Sequence, residues 1–229
     1  MKTQFQRWII AAAILFFAGW ANAQSTVYTA ASNGNYTSKV DFSACVVGPC
    51  QDFTLAMGVS GSFTTSNPLA GNLAGASIAA SVTSFNFSDG LTTYSSSDPA
   101  ARVYMFQVST NAAGAITGTT IVLNRWDTGT SPHSINDRHS LMLVTNSSQS
   151  GRNYKCTAIA VSPAGVADAC DTEIADTGSS NASGATVAWS SVTTVSTARS
   201  IPSLSDFGLI IMSGILGLVA FGAMRRRAI

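Results

Sequence analysis

Between residues 24 and 200 the apolar side chains recur with a period of two, not 3.6. Phe85 and Phe87 alternate with Ser84, Asn86 and Ser88, the pattern of a strand with one face buried. Asp89-Gly90 interrupts before Leu91–Tyr94, and that dipeptide marks a hairpin because glycine accepts the positive φ of a tight turn. Val103–Thr110 and Ile116–Asn124 are two more such runs, split by Asn111-Ala112-Ala113-Gly114. Leu141–Val144, Tyr154–Val161 and Thr186–Trp189 add further short strands. No long stretch of this region repeats apolar residues at helical spacing. The pattern predicts an all-β domain over residues 24–189, folded as an antiparallel β-sandwich and not as an α/β scaffold.

Two uninterrupted apolar runs break the alternation. Lys2 and Arg7 precede the first, Trp8–Trp20, and the small-x-small triplet Ala21-Asn22-Ala23 follows it. That order is a signal peptide over residues 1–23. Signal peptidase would cut between Ala23 and Gln24, leaving Gln24 as the mature N-terminus. The second run, Phe207–Met224, is eighteen residues without a charge, enough for one C-terminal transmembrane helix across roughly 30 Å of hydrocarbon. Arg225, Arg226 and Arg227 follow it as a stop-transfer cluster, which places everything before residue 201 on the far side of the membrane. Residues 190–200, rich in Ser and Thr, read as a flexible spacer.

Just ahead of the second run stands Ile201-Pro202-Ser203-Leu204, then Phe207-Gly208. Pro202 lacks an N–H and disfavours helix at Ile201, so this segment stays extended outside the membrane, the form a protease binds. The order of motif, apolar helix and basic cluster over residues 201–229 resembles the IPTL variant of the PEP-CTERM-class sorting signals. Ile201, Pro202, Leu204 and Gly208 match that pattern; Ser203 stands where it has Thr, and Phe207 where it has Trp. The resemblance implies an exosortase-like transpeptidase as partner and export across the inner membrane of a Gram-negative bacterium. It also implies transient anchoring in the membrane, then a cell-surface or extracellular location. A structural or adhesive role follows, with exopolysaccharide as a further partner in a biofilm matrix. A plain, uncut anchor is the simpler alternative, but an anchor has no need of the proline motif.

Composition narrows the exported part. Residues 24–200 hold seven basic and ten acidic side chains, a net of −3, with no basic stripe of the kind nucleic acid requires. All four cysteines, Cys45, Cys50, Cys156 and Cys170, fall in this part, and an even count in an oxidising compartment suggests two disulfides. The short C-V-V-G-P-C loop favours Cys45–Cys50, leaving Cys156–Cys170. A zinc site of four thiolates is the poorer reading, since neither pair has C-x-x-C spacing, so no metal is assigned.

Candidate chemistry is sparse. His133 and His139 flank Asp137 and Arg138, with Asp127 nearby; a base with its orienting acid would make a secreted hydrolase, the class-distinct alternative. No G-x-S-x-G or H-E-x-x-H motif accompanies them. The expected role of Thr128–Arg138 is therefore a polar loop between two strands, with no catalytic residue and no cofactor. Asp168, Asp171, Glu173 and Asp176 lack the order of a calcium loop and read as a solvated loop tethered by a disulfide. Tyr94, Trp126 and Trp189 offer sugar-stacking faces for a carbohydrate-binding module only if they are exposed; core aromatics are the expectation.

Overall fold

The computed structural model describes residues 23–41 and 52–196. Twelve strands run through them: β1 (Ala23–Gly34), β2 (Ser38–Asp41), β3 (Ser60–Thr65), β4 (Ala76–Ser77), β5 (Val82–Ser88), β6 (Thr93–Ser95), β7 (Ala101–Thr110), β8 (Ile116–Trp126), β9 (Arg138–Val144), β10 (Ser148–Ala160), β11 (Ala169–Ile174) and β12 (Ser180–Ser196). A 3-10 turn at Ala79–Ser81 is the one helical element among the described residues. Over the described residues the fold is all-β and antiparallel. Its strands form one hydrogen-bonded path, β4-β7-β8-β9-β10-β12-β1-β3-β5-β6, with β11 on β10 and β2 on β12.

The two ends of that path face each other across one core. Phe63 and Phe87 come from β3 and β5, and meet Phe106 of β7, Ile121 and Leu123 of β8 and Met142 of β9. Phe63 packs edge-on to Phe106 with ring centroids 5.0 Å apart. Alternation explains the selection, since Phe106 and Val108 point inward and register opposite Ile121 and Thr119 on β8. Burying each such large apolar side chain contributes about 1.5–3 kcal/mol.

The β5–β6 hairpin turns at Asp89-Gly90, as its sequence predicts. Asp89 Oδ1 accepts the backbone N–H groups of Leu91 at 2.9 Å and Thr92 at 2.7 Å, and Gly90 has φ +96°. The Asp89 carboxylate is wholly buried and accepts the Tyr94 hydroxyl at 3.1 Å.

β12 departs from expectation. It does not end at Trp189 but runs on to Ser196, so the first seven residues of the expected spacer are strand. Val192, Thr193, Thr194 and Val195 are β-branched and favour extended backbone. Thr193 and Thr194 exchange hydroxyl hydrogen bonds with Thr26 at 3.1 Å and Ser25 at 3.0 Å on β1. Residues Gln24–Val195 form one compact unit.

Several expectations lie outside the described residues: Ala21 and the rest of the signal peptide before Ala23, the Cys45–Cys50 pair, the motif Ile201–Gly208, the apolar run 207–224 and Arg225–Arg227. Among the described residues no helix is long and apolar enough to cross a membrane.

Candidate functional site

A second, small cluster lies on the other face of β8. Ile121 and Leu123 face the main core, so alternation turns Asn124 and Trp126 away from it. There Trp126 packs with Cys156 and Cys170, flanked by Ala100 and Ile159. The cover is the β10–β11 hairpin, which folds back over β7 and β8. Its strands are joined by the Cys156–Cys170 disulfide, with Cα atoms 5.7 Å apart. Asn124 Nδ2 donates to the Cys170 carbonyl at 3.0 Å, and Trp126 Nε1 to the Asp168 carbonyl at 2.9 Å.

Both histidines converge on Trp126. The His133 ring stacks on it with centroids 4.2 Å apart and planes 6° from parallel, and His139 meets it edge-on at 5.6 Å. The three rings form packing and not an open pocket, since Trp126 is 4% exposed and His139 is fully buried.

The segment from Thr128 to Asp137 is the expected loop, because β8 ends at Trp126 and β9 begins at Arg138. Asp137 Oδ2 accepts the Ser134 N–H at 2.8 Å, and Gly129 at φ +80° lies so close that a Cβ there would strike the Asp137 carboxylate. The loop is fastened from outside by Asp168. Its Oδ1 accepts the His133 N–H at 2.8 Å; its Oδ2 accepts His133 Nδ1 at 2.7 Å, Ser131 Oγ at 2.9 Å and Arg102 at 3.1 Å. Burial raises the Asp168 pKa, but the His133, Ser131 and Arg102 donors outweigh it and hold the carboxyl at about 2. Ser131, His133 and Asp168 are the residue types of a catalytic triad, wired differently. Serine and histidine both bond the same carboxylate, whereas in a proton relay the histidine stands between acid and hydroxyl.

The acidic cluster is not the solvated loop its composition suggests. Asp171 and Glu173 belong to β11, and each acid faces its own neighbours. Asp171 accepts the Tyr104 hydroxyl at 2.8 Å, and Asp176 forms a two-pronged pair with the Arg138 guanidinium. With Asp168 turned to His133, these three aspartates each bond a donor of their own and do not converge on a shared point. Asp127 is likewise engaged, accepting Ser140 Oγ at 2.6 Å and Arg125 at 3.1 Å.

Tyr94 is fully buried, and Trp189 packs edge-on against Phe63 at 5.7 Å and Phe87 at 6.4 Å. These rings and Trp126 serve cores, as expected, and Tyr94 and Trp126 leave no face for a sugar. A cleft of about 390 Å³ lies elsewhere, lined by Thr92, Thr93, Ser95, Asp98, Arg125 and Arg152 together with Leu91.

His139 is the residue whose position the sequence did not disclose. Neither ring nitrogen has a hydrogen-bond partner. Burial pushes its pKa down to about 4, an effect the Ser140 backbone offsets only in part and without a well-formed hydrogen bond. Nothing in the local sequence separates this histidine from His133, because what distinguishes them is cover supplied by β11 from thirty residues further on.

Comparison with curated proteins and with solved structures finds no match. The recognisable part of the chain is therefore its tail: residues 199–226 match the family model of the IPTL-CTERM motif, a PEP-CTERM-class sorting signal.

Proposed function

We propose that this chain is sorting cargo. It is a β-domain exported under its signal peptide and held in the membrane by residues 207–224. An exosortase-like enzyme then cuts it beside Ile201-Pro202-Ser203-Leu204. The match at residues 199–226 carries this reading, because such a signal implies export to the cell surface and processing by an enzyme of that kind. The mature domain acts as a structural or adhesive component of the cell surface or of its exopolysaccharide matrix.

Two observations support the reading. The compact unit begins at Gln24, the residue that cleavage after Ala23 would expose. The groups a hydrolase would need are occupied in holding the fold: His133 and Ser131 on Asp168, Asp127 on Ser140 and Arg125, and His139 inside the protein.

The test is mass spectrometry of surface and membrane fractions from a Gram-negative host that has the processing enzyme. The expected surface form starts at Gln24 and lacks Arg225-Arg226-Arg227. Surface protein that retains those arginines would leave a plain anchor in place of a sorting signal.

A further inference from the structure

We infer that reduction of the Cys156–Cys170 disulfide opens a site for one divalent transition-metal ion, held by the two cysteine thiolates, His139 and Glu173. His139 carries the inference. Its side chain is fully buried and both ring nitrogens lack a partner, a costly arrangement for groups that normally bond something. A ring nitrogen of His139, Cys170 Sγ and a Glu173 carboxylate oxygen all lie within 4.8 Å of one another. Cys156 Sγ is bonded to Cys170 Sγ, and the register of β10 with β11 sets Cys156 directly opposite Glu173. Three donors of the types that bind zinc therefore share one spot, and a fourth, Cys156 Sγ, is bonded to one of them.

The geometry is close to what a metal needs. With metal–ligand bonds of about 2.0–2.3 Å, a tetrahedral site has ligand–ligand edges of about 3.3–3.8 Å, so His139, Cys170 and Glu173 have to draw in by about 1 Å while the two sulfurs, freed from their bond, move apart. Two thiolates and an imidazole select zinc-like ions over calcium or magnesium. A cleft of about 280 Å³, lined by Leu141, Gly151, Tyr154, Glu173 and Asn181 among others, brings solvent to Glu173 at the edge of the cluster. While the disulfide is closed the sulfurs are not thiolates, and a histidine and one carboxylate are too few. On reduction by a phosphine the S–S bond breaks and two thiols form, while the phosphine becomes a phosphine oxide with oxygen taken from water. The incoming ion then displaces the two thiol protons.

Cobalt(II) is the probe, because tetrahedral cobalt thiolates absorb strongly in the visible. The full chain is purified in mild detergent with Cys45→Ser and Cys50→Ser, so that those thiols contribute nothing. After phosphine reduction it is expected to take up one cobalt per chain with tetrahedral, thiolate-type bands, and before reduction none. His139→Leu and Glu173→Gln should each weaken cobalt binding by about tenfold or more, since changes even one shell further out reach that size. Glu173 is exposed, so its variant tests the site without disturbing the core. The inference is overturned if the reduced chain, folded or not, gives no tetrahedral bands. It is equally overturned if both variants hold cobalt as tightly as their parent.

Discussion

Asp89 and His139 are buried titratable groups whose folded-state pKa values move in opposite directions. Burial raises Asp89 to about 6 against the hydrogen bonds from Thr92, Leu91 and Tyr94 and the nearby Arg152 charge, and lowers His139 to about 4. Asp89 therefore adds stability that is fully present below pH 4 and is lost as pH rises through 6. His139 adds stability present above pH 6.5 and lost as pH falls through 4. At about 1.4 kcal/mol per unit each effect is about 3 kcal/mol, and the two largely cancel between pH 4 and 6. Asp89→Asn removes one side of the balance. Its stability relative to wild type should climb by about 3 kcal/mol from pH 4 to pH 7 in urea titrations, and parallel pH profiles would refute the assignment. Asp168→Asn tests the loop anchor, asparagine being chosen because position 168 sits at φ +59° and asparagine tolerates that region. Loss of the charge should cost about 1–3 kcal/mol and shift Trp126 fluorescence as His133 leaves its face; unchanged emission would sink the role given to Asp168. The sequence drew attention to both histidines and to these acids but not to their partnerships. His133 and Asp168 are thirty-five residues apart, and a contact of that reach leaves no local pattern.

Strands with large side chains on one face were legible. β5, β7, β8, β9 and β10 stand close to where alternating Phe, Val, Ile and Leu put them, and the Asn111–Gly114 and Asp89-Gly90 turns join them as read. β1, β3 and β11 were not recognised, for a physical reason: Ala-Gln-Ser-Thr, Ser-Gly-Ser and Ala-Cys-Asp-Thr carry few bulky residues. β1 and β3 are held by a neighbour on each side, and β11 by β10 and the Cys156–Cys170 disulfide, more than by an apolar face of their own. The same effect hid the last seven residues of β12, whose hydroxyl-rich tail reads as linker until β1 lies beside it. Two truncations separate linker from strand. A chain stopped after Ser196 should match the parent in urea unfolding. One stopped after Trp189 loses the Thr193 and Thr194 contacts to β1 with the ladder around them, and should be about 2–4 kcal/mol less stable. Equal stability of the two would restore the spacer boundary at residue 190.

At the scale of the whole molecule, the tail was readable because a processing signal is recognised as a short extended segment and needs no tertiary partner. Pro202 is the residue on which that depends. If the chain is processed as proposed, Pro202→Ala would let helix extend back over Ile201, and the variant should accumulate as full-length, membrane-bound protein under conditions that trim the wild type, as membrane-fraction mass spectrometry would reveal. Normal trimming of the variant would remove Pro202 from the recognition step. β12 leads toward that tail, and it lies inside the sheet, with β1 along one part of its length and β10 and β2 along another. Ladder hydrogen bonds run across the strand direction. Tension drawn in at Ser196 along the strand axis therefore strains many of them at once, in shear, instead of peeling them one by one. A domain tethered by this end meets drag from flow or from a bound surface with the collective strength of its central strand.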